Sequence, residues 1–387
     1  MVKNNNMMPP ADGSIMLLNR NIGQIPYAAN QTRKFDLKLQ PNMLKNLLLH
    51  FTLISDSWEP DTSTICPMTG PIGIVRQVEV RASNGVLLKS IEGQALTILN
   101  SYEHKATEFR SYPLGGPYGQ PADFLIEFDL LIPFEDITNI VPERTVLNTN
   151  EFSELTISVT WGSEYDICCY SDQVPPVPLK GGSVNLIALE RVPISMDDEL
   201  LNRQRMVDTM QQQAAVGSQV IFDLPENTLL KTLLFYVELE KQFDDEITKG
   251  PVCRLPYPGA ITSFQVEDNN GAHVIRSMNA VDNLSEIKDY FGLNNGLDRF
   301  DAGVFSNDPG SLCSLDDTIQ KHGVNVVEFD REHDFTTCYS TIGVNRPRLL
   351  INLNNAIFGQ TPPPGYTYNW TVKLLQRQIV TPAIVTR

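Results

Sequence analysis

The chain repeats itself once, and that limits its possible folds more than any other feature. Leu44-Lys45-Asn46-Leu47-Leu48 recurs 186 positions later as Leu230-Lys231-Thr232-Leu233-Leu234. The same offset carries Leu53 onto Leu239, Gly73 onto Gly259, Val80 onto Val266 and Asn84-Gly85 onto Asn270-Gly271. It also lays Leu189-Glu190-Arg191 over Leu375-Gln376-Arg377. Two further matches need gaps: Leu17-Leu18-Asn19-Arg20 recurs as Leu200-Leu201-Asn202-Arg203, and Glu127-Phe128-Asp129 as Glu328-Phe329-Asp330 at an offset of 201. That last offset implies an insertion of 15 residues, which the Gly/Asn/Asp-rich stretch 292–323 accommodates as a long surface loop with a short helix near Leu315–Lys321. One fold made twice in 387 residues leaves each unit large enough for its own core.

Each unit reads as β. Phe35-Asp36-Leu37-Lys38-Leu39 alternates apolar and polar residues with period two, as a half-buried strand does, and Phe264 and Val266 alternate with Gln265 and Glu267. Further strands are expected at Phe124–Leu131, Leu155–Trp161, Val184–Arg191, Val324–Phe329, Leu349–Leu353 and Trp370–Gln378. Asn84-Gly85 and Asn270-Gly271 suit two-residue hairpins of type I′, whose central positions need positive φ. Short helices are expected after each hairpin, at Ala95–Lys105 and Asn283–Phe291. A longer one is expected between the units from Ser195 to Ala214, capped by Ser195 with Asp198 and carrying Leu200, Val207, Met210 and Ala214 on one face. The expected class is all-β, two tandem jelly-roll barrels with a few short helices. The division is an N-terminal arm (1–21), a first jelly roll (22–194), a linker helix (195–214) and a second jelly roll (215–387).

The sequence offers little for chemistry. No HxH, HExxH, GxSxG, GxxxxGK[ST] or GxGxxG pattern is present. The six cysteines include no CxxC pair, so neither a disulfide scaffold nor a zinc site is expected, and no cofactor or metal is assigned. The Asp197-Asp198-Glu199 and Asp244-Asp245-Glu246 clusters lack the ligand spacing of a calcium loop. Asn30, Asn283 and Asn369 open NxS/T triplets, but no secretory leader or apolar run of about 20 residues is visible, and synthesis in a cytoplasm is expected.

Charge is unevenly placed. The chain carries −16 overall. Yet residues 1–34 hold Lys3, Arg20, Arg33 and Lys34 against Asp12 alone, and residues 335–387 hold Arg346, Arg348, Lys373, Arg377 and Arg387 with no acid. Lys373 and Arg377 fall in a strand, where their charges are expected to point to solvent.

Length, tandem repeat, intervening segment and lack of catalytic motifs together resemble the double jelly-roll major capsid proteins of tailless icosahedral viruses, many with an internal membrane, and of the adenovirus hexon. The resemblance implies a non-enzymatic coat protein located in the virion and assembled in the host cytoplasm. Three copies would form a pseudo-hexagonal capsomer. Its partners would be its own copies, neighbouring capsomers and penton or minor capsid proteins, with an internal lipid membrane as a further candidate and no specific nucleic-acid sequence. It also implies that terminal segments turn inward, where Lys3, Arg20, Arg33, Lys34 and Arg387 would contact anionic lipid or packaged genome. Two other classes stay open on sequence grounds. One is a double jelly-roll glycan-active enzyme, which needs a carboxylate pair in a cleft. The other is a tandem carbohydrate-binding module, which needs exposed tryptophans, whereas Trp161 and Trp370 fall in expected strands and only Trp58 does not.

Overall fold

The computed structural model describes residues 16–39, 42–55, 64–65, 70–103, 109–114, 123–148, 152–166, 168–169, 179–192, 204–243, 251–256, 259–291, 324–358 and 366–381. The segments at 195–203, 244–246 and 292–323, with Lys3, Trp58 and Arg387, lie outside them.

The first unit is a sandwich of two antiparallel sheets. One runs β1 (Met16–Pro26), β12 (Leu179–Val192), β3 (Met43–Ser55), β8 (Asp123–Pro133) and β7 (Phe109–Leu114), with β9 (Leu147–Asn148) also on β3. The other contains β2 (Thr32–Lys38), β10 (Glu154–Trp161), β5 (Val75–Ala82) and β6 (Leu87–Ile91). A small ribbon of β4 (Thr64–Ile65) and β11 (Cys168–Cys169) lies apart. Period-two patterning explains the burial: Leu155, Ile157, Val159 and Trp161 point inward from β10, and Leu47, Leu49, Phe51 and Leu53 from β3. Phe51 stacks on Phe128 with ring centroids 4.7 Å apart, and Trp161 meets Phe51 edge-on.

The second unit repeats the plan. One sheet contains β13 (Arg205–Ala214), β22 (Tyr366–Val380), β15 (Leu229–Phe243) and β16 (Pro251–Pro256), with β19 (Asn325–Glu328) and β20 (Tyr339–Ser340) on β15. The other runs β14 (Gln219–Asp223), β21 (Arg348–Leu353), β17 (Ile261–Asp268) and β18 (His273–Asn279). Taking the eight main strands of each unit in chain order, both place 1-8-3-6 opposite 2-7-4-5, the jelly-roll arrangement. A helix follows the fifth main strand each time, α1 (Gly93–Glu103) and α2 (Ala280–Phe291), close to the expected positions; α3 (Asn355–Phe358) is a single turn.

The pairings test the repeat residue by residue. Lys45 and Lys231 both sit at a break in strand register, a β-bulge kept in both copies. Each offers its carbonyl to a phenylalanine amide, Phe134 in one unit and Phe329 in the other. Those phenylalanines are 195 apart, so the Glu127–Asp129 match to Glu328–Asp330 is six residues out of register and coincidental. Leu189 pairs with Asn46, and Arg377 with Thr232, so the last strands correspond at 188, not 186.

Three local expectations are corrected. Arg205–Ala214 is β13, not the end of a linker helix, because it pairs along its whole length with β22 and also touches β6. Ladder hydrogen bonds and burial of Met206 and Asp208 at spacing two override the helical propensity of Met, Gln and Ala. Residues 16–21, placed in an arm, pair with β12. Neither Asn-Gly hairpin is a two-residue type I′ turn. The first closes Ala82 to Val86 with only Gly85 at positive φ, and the second spans Asn269–Ala272 with Asn269 and Gly271 at positive φ.

Candidate functional site: the seam between the barrels

The notable chemistry lies where the barrels meet. β6 of the first barrel pairs in parallel with β13 of the second, at Asp208–Lys89 and Thr209–Ser90, joining their sheets into one of ten strands. The second barrel's β15 and β22 are therefore covered on both faces. Leu233, Phe235, Val237, Val372 and Leu374 fill the second core, while Leu234, Tyr236 and Leu375 join the first core with α1 residues Leu96, Leu99 and Tyr102. This double coverage explains why Leu233–Val237 in the middle of β15 reads as an unbroken apolar run rather than an alternation.

Charged side chains lie buried along the same contact. Lys89 Nζ donates to Asp208 Oδ2 at 2.5 Å, Arg377 Nε donates to Asp208 Oδ1 at 2.7 Å, and Arg377 also bonds Glu103. Lys373 donates to Glu92 at 2.5 Å and lies 3.0 Å from Glu238. Lys231 donates to Asp136 at 2.7 Å and Thr138 at 2.6 Å, with Asp330 at 3.9 Å. Each set joins the first barrel to the second. Lys373 and Arg377, expected to face solvent, are thus enclosed counter-ions for first-barrel acids; the acid-free C-terminal stretch is basic partly because its acids lie on the other barrel.

Burial and charge compete here. Burial disfavours ionised Asp208, but Arg377 and Lys89 outweigh it and hold its pKa below the ordinary value. Burial pulls Lys89 down to about 8. Burial also raises Glu328 to about 7, despite Lys231 and the hydroxyl of Thr232, which donates to it at 2.7 Å. An open polar cleft of about 540 Å³ at the seam is lined by Arg76, Glu92, Gln213, Glu238, Glu240 and Lys373. Its Glu92 and Glu238 both lie on Lys373. Among the described residues, no group of three or more His, Cys, Asp or Glu is arranged to hold a metal ion.

Of the residues singled out from sequence, Arg20 bonds Glu190 across β1 and β12, and donates to the Lys38 carbonyl at 3.2 Å. Arg33 and Lys34 are exposed on β2 at the end of its sheet. The described structure does not bring the three into one cluster. Asn283 is buried, its amide bonded to both backbone groups of Val326, so its NxS triplet is inaccessible.

Strand sense orients the molecule. β2 and β5 both oppose β10, β6 opposes β5, and the short 27–31 turn reverses β1 into β2, so β6 runs in the sense of β1. β13 is parallel to β6, so the two barrels point the same way. Met16, where β1 begins, and Val380, where β22 ends, therefore stand at the same end. β19 and β22 both oppose β15, so the chain enters β19 from the opposite direction, where the 292–323 segment connects.

No family model and no curated protein matches the sequence. Solved structures do match the fold. The major capsid protein P2 of bacteriophage PM2 superposes with a TM-score of 0.55 at 10% identity, over 96% of this chain and 99% of that one. The atomic structure of Sulfolobus Turreted Icosahedral Virus gives 0.58 at 11% identity, over 95% and 91%. The Faustovirus major capsid protein gives 0.52 at 10%, over 98% and 92%. The fold is that of the double jelly-roll capsid proteins, end to end.

Proposed function

We propose that this chain is the major coat protein of an icosahedral virion, with three copies forming each pseudo-hexagonal capsomer. The observation that carries this is full-length likeness in both directions: 96% of this chain is matched by 99% of PM2 P2 and by 100% of the STIV MCP. Co-oriented barrels with a charged, enclosed seam support it physically, since a tile must not hinge between its halves. The glycan-active and carbohydrate-binding readings are not favoured: the cleft carboxylates Glu92 and Glu238 are both held by Lys373, Trp161 is fully buried, and Trp370 packs against Phe358 with ring centroids 5.0 Å apart.

The segments before Met16 and after Val380, with Lys3 and Arg387, face the shell interior and meet anionic lipid or genome. Their attachment at one end of the molecule, with 292–323 connecting toward the other, fits an inside and an outside. Arg33 and Lys34 remain candidate contacts. Arg20 is the weakest, being committed to Glu190. Neighbouring capsomers and penton or minor capsid proteins are the expected partners, and the assembly site is a host cytoplasm.

The test is light scattering and electron microscopy of purified protein. Trimers and shell-like assemblies are expected; a monomer at micromolar concentration, unchanged across salt and pH, overturns the reading. Removing residues 1–15, which spares β1, should leave trimers intact while particles fail to form or lose their membrane. Normal particles would remove the inward role of that segment.

A further inference from the structure

β6 and β13 run side by side only at Asp208–Lys89 and Thr209–Ser90. Past that point β6 turns off into α1, and Met210 closes the junction, its sulfur accepting from the Glu92 amide at 3.2 Å. β13 carries on to Ala214, paired with β22 on one side. Among the described residues its other edge has no strand partner from Gln211 to Ala214. An open strand edge is a template for another strand. The polar cleft of about 540 Å³ lies along this edge, lined on the β13 side by Gln212, Gln213 and Ala214.

The lining selects the kind of ligand. A smaller pocket of about 20 Å³, room for one water, shares the cleft's Arg76, Glu92 and Glu238 walls. Gln94 lines that pocket; it is 7% exposed, and its amide nitrogen has no hydrogen-bond partner. A buried donor in that position calls for an acceptor. The described side chains around both spaces carry four carboxylates, Glu92, Asp166, Glu238 and Glu240, against Arg76 and Lys373. Both cations are held within the protein, Arg76 by Asp166 at 3.1 Å and Lys373 by Glu92 and Glu238. The site therefore favours a cation that also brings acceptors. A bare metal ion offers no acceptor, an anion is repelled, and among the described residues no aromatic lines the cleft for a sugar to stack on.

We propose that this cleft takes an extended peptide of a partner protein, which pairs with the Gln211–Ala214 edge of β13 and points a lysine or arginine at the cleft carboxylates. Main-chain pairing supplies the affinity, and the basic side chain the selectivity. β13 ends and β22 begins at this end of the seam, so the cleft lies in the half of the molecule away from Met16 and Val380. The proposal rests on the coat-protein reading only for what that half faces: with both termini inward, the partner is one that binds from outside.

The probes are end-blocked, fluorescein-labelled pentapeptides of alternating threonine and valine with lysine or glutamate at the centre, titrated with the full chain and read by fluorescence anisotropy. The lysine peptide should bind about tenfold more tightly than the glutamate peptide, a difference that shrinks as salt is raised. N-methylation of every second amide should abolish binding in the register whose amides face β13; two registers that both bind like the parent overturn strand addition. Ala214→Lys, at an exposed position on the cleft wall, should weaken the lysine peptide several-fold, and Gln212→Glu should strengthen it, with both variants melting as the wild type does. No binding of the lysine peptide at millimolar concentration, or unchanged affinity in both variants, overturns the site. Light scattering on the same samples separates the two readings. Binding by a protein that stays monomeric removes the capsomer and keeps the cleft, and a trimer that binds no peptide does the reverse.

Discussion

Asp208 holds two cations with one carboxylate, so its removal is felt twice. Asp208→Ala leaves Lys89 and Arg377 buried together, and should lower stability by about 3–5 kcal/mol in denaturant melts. Arg20→Ala, in a pair where the arginine is partly exposed, should cost well under half as much. The carboxylates also set a pH window. Asp208 and Asp136 have folded pKa values below their unfolded ones, so their stabilisation is present above about pH 4 and lost as pH falls through the folded values. Glu328 is shifted the other way, from 4.5 to about 7, so the folded chain holds a proton that the unfolded chain releases. Stability should therefore decline as pH rises from about 4.5 to about 7, by at most about 1.4 kcal/mol per unit from this group. Glu328→Gln should flatten that slope in thermal melts at fixed ionic strength; an unchanged slope would remove Glu328 as its source.

Among the elements, those with one buried face were legible in sequence. Leu155–Trp161 alternates cleanly and Leu349–Leu353 is a short apolar run, and both are strands at nearly those limits. β13 was not legible. Its Gln-rich sequence has no strong period, and its pairing partners lie more than 100 residues away, so a local reading prefers helix. A discriminating variant is Gln212→Thr on the exposed side of β13. A β-branched residue should be neutral or stabilising there by a few tenths of a kcal/mol, whereas a helix would lose a similar amount. α1 depends on a different detail. A Cβ on Gly93 would lie 2.5 Å from the Val75 carbonyl oxygen, so Gly93→Ala should push α1 off β5 and destabilise by about 1–3 kcal/mol. Melting with the wild-type midpoint would show that α1 can shift without loss.

At the scale of the whole molecule, the repeat carried the architecture, because Leu44–Leu48 and Leu230–Leu234 mark the third main strand of each barrel. The seam was invisible from sequence for a physical reason. Lys373 and Arg377 read as the solvent-facing charges of a strand, and the acids that enclose them, Glu92 and Glu103 of the other barrel more than 270 residues earlier and Glu238 and Asp208 of their own, are all far away in sequence.

The placement of β22 bears on how the chain is made. Among the described strands it is the last to leave the ribosome, yet it lies between β13 and β15 in the middle of its sheet. The first barrel has all its strands by residue 192, while the second lacks its central strand until residue 380 is free of the exit tunnel. Until then Asp208 lacks Arg377, Glu92 lacks Lys373, and Leu234 and Tyr236 lack a neighbour on one side. A chain broken off early therefore keeps a sound first half and an open, sticky second half. Completion of the second barrel thus waits on β22, and a chain cut short of it leaves apolar strand faces open to aggregation.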